Sequence, residues 1–143
     1  MIDHLDLVVT SLERSLDFYR GLLGPLGYGR EGEISGERGE RVVYLNTAER
    51  IGSISLREAR TPTATPYDRY APGFHHVAFR CASPELVEER SRWLRDRGAE
   101  ISSGPREFDY TPGYFAVFFF DPDGFKLELV HRPMPPHADT SPA

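Results

Sequence analysis

HLDLVVTSLERSLDFYRGLLG, from His4 to Gly24, and HVAFRCASPELVEERSRWLRDRG, from His76 to Gly98, are two versions of one pattern. Each opens with alternating residues and passes into helical spacing. In the first, Leu5, Leu7 and Val9 share one face and His4, Asp6 and Val8 the other, which predicts a half-buried strand. Thr10 and Glu13 have the spacing of a capping box. Leu12, Leu16, Tyr19 and Leu23 then recur at helical period, and Gly24-Pro25 ends the helix. In the second, Val77, Phe79 and Cys81 oppose His76, Ala78 and Arg80. Ser83 caps a helix with Pro84 at its first position. Leu86, Arg90, Trp93 and Leu94 form the stripe, and Gly98 closes it.

An offset of 72 residues carries His4 onto His76, Ser11 onto Ser83 and Glu13 onto Glu85. The remaining strands fall into matching places. The spacing predicts strands at 26–30, 41–46 and 51–57, then at 99–102, 114–120 and 125–131. Asp121-Pro122-Asp123-Gly124 is a hairpin turn between the last two. Ser55 and Glu128, on the matching last strands, stand 73 residues apart. A period this long marks a duplicated module rather than a solenoid.

The expected fold class is therefore α+β, one domain over 1–132 built from two βαβββ modules. The first spans 1–59 and the second 74–132. Residues 60–73 hold Pro62, Pro66 and Pro72 and read as a linker. The tail at 133–143 has four prolines and no strand pattern, and disorder is expected there.

Bulk properties exclude several functions. The 143 residues carry a net charge of −5, and a general nucleic-acid binder needs a basic face. No apolar run reaches membrane-spanning length. The opening MIDHLDLVVT has acids within its apolar stretch and does not read as a signal peptide. Cys81 is the single cysteine, which fits a reducing cytoplasm, and it reads as a small buried side chain rather than a reactive thiol.

The faces opposite the apolar ones carry the chemistry: His4, Asp6, His76, Arg80, Lys126 and Glu128. On flat, solvated faces these residues need no further explanation. If the two sheets curl together, they line a shared cavity. His4, His76 and Glu128 then make a facial set of two imidazoles and one carboxylate with open coordination positions. That set suits one divalent ion, Fe, Mn, Ni or Zn. The open positions let such an ion polarise a substrate oxygen.

Three stretches carry a family resemblance: His4 to Gly24, the HVAF starting at His76, and DPDGFKLELV from Asp121 to Val130. With them the chain resembles the vicinal oxygen chelate superfamily, which includes glyoxalase I, bleomycin-resistance proteins, fosfomycin-resistance thiol transferases and extradiol dioxygenases. The resemblance covers nearly all of 1–132. It implies paired βαβββ modules in a curved mixed sheet around a metal-containing cavity, assembled as a homodimer. It implies His4 and His76 as first-strand metal ligands and Glu128 as the last-strand ligand. It also implies a metal-dependent lyase, isomerase, dioxygenase or thiol transferase, acting on a small substrate that chelates through vicinal oxygens. The alternative is a metal-free protein that binds a drug or metabolite in the same cavity. Glyoxalase I-like members carry a fourth ligand, a glutamate, where this chain has Ser55. Fosfomycin-binding members carry a tyrosine where it has Phe118.

Other residues have two readings each. Tyr114 is a candidate general acid or base, or an aromatic packing residue. Arg57 and Arg80 are candidate substrate clamps for a carboxylate or phosphate. Phe118 is a candidate substrate-contacting wall. His75 is expected to face away from His76 and to be structural. His131 and His137 read as solvated. Tyr67 to Tyr70 form either a lid or a plain surface loop.

Overall fold

The computed structural model describes residues 2–49, 51–62 and 65–134. The chain runs β1 (His4–Val9), α1 (Leu12–Leu23), β2 (Arg30–Ser35), β3 (Arg41–Asn46) and β4 (Ser53–Glu58). It then repeats with β5 (Val77–Arg80), α2 (Pro84–Asp96), β6 (Ile101–Glu107), β7 (Phe115–Phe120) and β8 (Lys126–His131). Two four-stranded mixed sheets result, ordered β1-β4-β3-β2 and β5-β8-β7-β6. In both, the first strand lies parallel to the last, and the other neighbours are antiparallel. The proline-rich stretch at 135–143, with His137, lies outside the described residues.

The apolar alternation decides what is buried. Leu7, Val9, Val43, Leu45, Ile54 and Leu56 of the first sheet, and Phe79, Val117, Phe119, Leu127 and Leu129 of the second, belong to one core with both helices. On α1 the predicted stripe of Leu12, Leu16, Tyr19 and Leu23 is buried. Each fully buried side chain of this kind contributes roughly 1.5–3 kcal/mol. The helices meet where α1 has no side chain. A Cβ on Gly21 would lie 2.3 Å from Trp93 Cζ2, and Arg90 Nη1 donates to the Gly21 carbonyl at 2.9 Å. Thus each sheet turns its helix side inward to a common core and leaves its other face open.

The Asp121–Gly124 turn fastens the modules together. Asp121 is 6% exposed, and its Oδ1 accepts the N–H groups of Asp123 and Phe125 at 2.9 and 2.8 Å. Its Oδ2 accepts the hydroxyl of Tyr19, from the other module's helix, at 2.8 Å. Asp123 accepts Thr10 N–H at 2.9 Å and faces Arg14 at 3.4 Å. Burial pushes the Asp121 carboxyl up and the Tyr19 hydroxyl well up, so the hydroxyl stays protonated as the donor.

Four expectations need correction. Residues 24–26 form a 3₁₀ turn instead of leading into a strand at 26–30, because Pro25 suits a helical first turn and Gly27 takes φ +101°. The strand begins at Arg30, where REGEIS is almost wholly exposed and shows no apolar alternation. The cap of α1 is Ser11, whose hydroxyl accepts Arg14 N–H at 3.4 Å, since Thr10 N–H is taken by Asp123. The strand expected at 99–102 runs on to Glu107 through two register shifts around Gly104-Pro105. Gly104, at φ +83°, brings its backbone so close to Ala116 O that a Cβ would stand 2.4 Å away.

The fourth correction concerns the histidine pair. β5 starts at Val77, not at 74, so strand alternation does not apply to His75 and His76. Tyr67 holds the chain just before them. It stacks on Phe74, accepts the Phe74 N–H at 3.1 Å and donates to the Phe74 carbonyl at 2.8 Å. His75 consequently folds against His76, with ring centroids 5.1 Å apart.

Candidate functional site

Glu128 is the centre of the open face of the second sheet. It pairs in register with Ala78 on β5 and Phe118 on β7 and is 1% exposed. A carboxylate buried to that degree is tolerated only when its oxygens are engaged. One oxygen accepts the Tyr114 hydroxyl, and Oε2 lies 3.1 Å from His76 Nε2. The His76 ring also meets Phe118 edge-on at 5.8 Å. Burial first, then the hydrogen bond and charge of Glu128, push the Tyr114 hydroxyl above its ordinary range. Tyr114 therefore keeps its proton and donates it.

The hydrogen bonds continue one residue further. His75 Nδ1 lies 2.8 Å from His76 Nδ1, and two neutral ring nitrogens at that distance need one proton between them. Burial, with help from His76, Lys126 and Arg69, lowers the pKa of His75 and keeps it neutral. A consistent assignment has His75 donating to His76 Nδ1 and His76 Nε2–H donating to Glu128. The proton between His76 and Glu128 then occupies the space between an imidazole nitrogen and a carboxylate oxygen. That donor pair is one a divalent ion takes when the proton leaves. The residues present therefore fit a metal through two donors of one chain.

His4 lies elsewhere. It belongs to the open face of the first sheet, with Nδ1 2.8 Å from Asp3 and its ring edge toward Tyr44 at 6.3 Å. The hydrogen bond to Asp3 raises its pKa. Among the described residues, no three His, Cys, Asp or Glu side chains converge in a single chain. The structure thus brings His76, Glu128 and Tyr114 together and leaves His4 apart.

The other sequence candidates divide in the same way. Phe118 is buried beside Glu128 in a small second cluster with Phe108, Ala116, Val130 and Tyr114. Arg80 is on the same open face and donates to the Arg132 carbonyl at 3.0 Å. Arg57 is on the first sheet, where its fork is occupied by Asp6 at 2.7 Å and Glu40 at 2.9 Å. Ser55 is fully buried there and its Oγ has no hydrogen-bond partner. Tyr70 of the linker packs edge-on to His75 at 5.1 Å. His131 faces the Cys81 carbonyl at 3.2 Å. Burial pushes the Cys81 thiol up to about 11, so the folded protein holds it unreactive.

Sequence reasoning missed Phe108 and Tyr110. They stack at 5.4 Å, and Phe108 meets Phe118 edge-on at 5.4 Å. Phe108 follows directly on the irregular end of β6, where parity could not be read from sequence. A cleft of about 460 Å³ opens beside His76 between the starts of β1 and β5, with Leu5, Tyr28, Phe74 and Phe79 in its walls.

Residues 1–129 match the model of the Glyoxalase/Bleomycin resistance protein/Dioxygenase superfamily. This chain belongs to that superfamily. The uncharacterized protein YqjT of Bacillus subtilis is 30% identical over 129 residues, covering 89% of this chain and 95% of that one. The metallothiol transferase FosB of Staphylococcus epidermidis is 29% identical over 130 residues, covering 90% of this chain and 81% of that one. A glyoxylase/bleomycin resistance protein/dioxygenase domain from Frankia has the same fold, with TM-score 0.75 and 21% identity over 93% of this chain and 98% of that one. The superfamily's paired βαβββ arrangement accounts for the two four-stranded sheets. Among the described residues, no helix is long and apolar enough to cross a membrane.

Proposed function

We propose that the protein is a divalent-metal-dependent enzyme of the glyoxalase/dioxygenase type, acting on a small substrate that chelates the ion through adjacent oxygens. The observation that carries this reading is the buried Glu128, whose oxygens meet an imidazole nitrogen and a tyrosine hydroxyl. His76 and Glu128 supply two ligands from one chain. His4 supplies the third from a second copy, in a homodimer that sets the first sheet of one protomer against the second sheet of the other. A bound divalent ion, Fe, Mn, Ni or Zn, supplies Lewis-acid polarisation of a substrate oxygen.

This chain's own residues set the stage for that chemistry. Tyr114 orients Glu128 by donating to one oxygen, which leaves the other for the His76 side. His75 holds the His76 ring through Nδ1. The aromatic cluster around Phe118 keeps water from one flank of the carboxylate. Tyr114, which keeps its proton, is the candidate general acid for a lyase, isomerase or thiol transferase. The single, buried Cys81 fits a reducing cytoplasm.

Metal analysis on purified, tag-free protein tests the reading. About one Mn(II), Fe(II), Ni(II) or Zn(II) per protomer is expected after loading. Less than about a tenth of an ion would leave the metal-free sequestering protein as the better account. Mixing separates a shared site from a site within one chain. His4→Ala and Glu128→Gln variants each lose the ion, but after exchange of protomers about a quarter of the sites should recover, as random two-fold pairing requires.

A further inference from the structure

Segment 65–73 joins the two modules, yet it is not a slack tether. Its anchor is Tyr67, whose ring stacks on Phe74 at 5.0 Å and meets Phe125 edge-on at 4.9 Å. Phe125 is itself held, since its N–H donates to buried Asp121 at 2.8 Å. The Tyr67 hydroxyl accepts the Phe74 N–H at 3.1 Å and donates to the Phe74 carbonyl at 2.8 Å. One side chain thus engages both backbone groups of the residue before His75. Gly73 makes room for it. A Cβ there would stand 2.8 Å from the hydroxyl oxygen, well inside ordinary contact distance.

The same segment reaches the ring of His75. Tyr70 meets that ring edge-on at 5.1 Å. The Arg69 guanidinium lies 4.8 Å from the ring centre of Tyr70 and 5.6 Å from that of Phe120. Asp68 closes the turn by accepting the Tyr70 N–H at 2.9 Å. β5 pairs with β8 only from Val77 onward, so strand alternation does not aim the two imidazoles before it. The hydrogen bonds do: His75 Nδ1 lies 2.8 Å from His76 Nδ1, and His76 Nε2 lies 3.1 Å from Glu128. The first module holds a twin of the hydroxyl clamp with no histidine after it. Thr47 Oγ1 accepts the Ile51 N–H at 3.0 Å and donates to the Ile51 carbonyl at 3.3 Å.

We propose that Tyr67 is a positioning residue for the metal ligand His76. Its hydroxyl fixes Phe74 and, through Phe74 and His75, the angle at which the His76 imidazole is presented. This rests on the reading of His76 and Glu128 as ligands, and it makes the inter-module segment part of their support. Partners that orient a ligating ring from outside the coordination shell matter to the ion: losing one lowers metal affinity by about ten- to a hundredfold. Removing the hydroxyl alone leaves the aromatic stacking in place and frees the Phe74 backbone, so the His76 ring samples more orientations.

Three variants of the full-length protein test this: Tyr67→Phe, Gly73→Ala and Thr47→Val, each first shown to unfold cooperatively in urea. Two quantities are read. One is Mn(II) affinity, from the paramagnetic resonance of the free ion. The other is the set of ¹H–¹⁵N correlations of the histidine rings in metal-free protein. Tyr67→Phe and Gly73→Ala should each weaken Mn(II) binding about tenfold or more, and should shift or broaden the His76 ring signals. Thr47→Val, which loses the same kind of clamp, should leave both unchanged. Should Gly73→Ala not fold, Tyr67→Phe decides alone. Unchanged His76 signals or unchanged Mn(II) affinity in Tyr67→Phe, or an equal loss in Thr47→Val, would overturn the inference. Altered His76 signals in a protein whose wild type takes up no divalent ion would retain the orienting role of Tyr67 and remove the metal reading.

Discussion

The two open faces are built on one topology and, across their first, last and third strands, one register, yet they differ in almost every side chain that matters. Asp6, Ser55 and Tyr44 line up across the first sheet where Ala78, Glu128 and Phe118 line up across the second. On the first face Arg57 closes on Asp6 and Glu40. The second buries one carboxylate and ties it to an imidazole and a tyrosine. Duplication preserved the frame because the helix-side residues must fill a common core. The open side carries no such demand, and there the two copies could acquire different chemistry.

The largest expected contrast comes from the matched last-strand positions. Glu128→Gln should lower divalent-metal affinity by a hundredfold or more, while Ser55→Ala should change it less than about twofold, as competition with a chromophoric chelator would show. A comparable loss at Ser55 would mean that both faces bind the ion through their last strands.

Next is pH. The ligating imidazoles must be neutral, so metal affinity is full at high pH and falls as pH drops through the histidine range. The pKa of His4 is raised above 6.5 by Asp3, so its loss begins earlier than an ordinary imidazole would give. Between about pH 7.5 and about pH 5.5 we expect a ten- to hundredfold fall. In His4→Gln the affinity that remains should fall less steeply over that range. An equal slope would remove the first face from the site.

A smaller effect concerns how the faces are held. Tyr19→Phe takes away the hydroxyl bound to buried Asp121, and should cost about 1.5–3 kcal/mol in urea unfolding, with little change in metal affinity. The smallest effect belongs to Arg57→Gln, whose partly exposed ion pairs are worth roughly 0–1 kcal/mol.

Much of this was legible in the sequence, and the exceptions have physical causes. Alternation located β1, β3, β4, β7 and β8 because each has one face in the core. It failed for β2, whose residues are nearly all exposed, and for β6, whose register shifts break the period. Parity put Glu128, Phe118 and Arg80 on one face. It could not say that His4 stands apart from them, because parity assigns a side chain to a face without saying which faces meet. It also misjudged His75, since alternation holds only inside a strand and β5 begins two residues later.

The Asp121–Gly124 turn has a consequence for taking this protein apart. It clasps the helix of the first module from within the second, and the covalent linker plays no part in that grip. A chain cut at 60–65 should therefore behave as two interlocking halves that copurify and unfold together, while either half expressed alone would expose the side of its helix that the other half now covers.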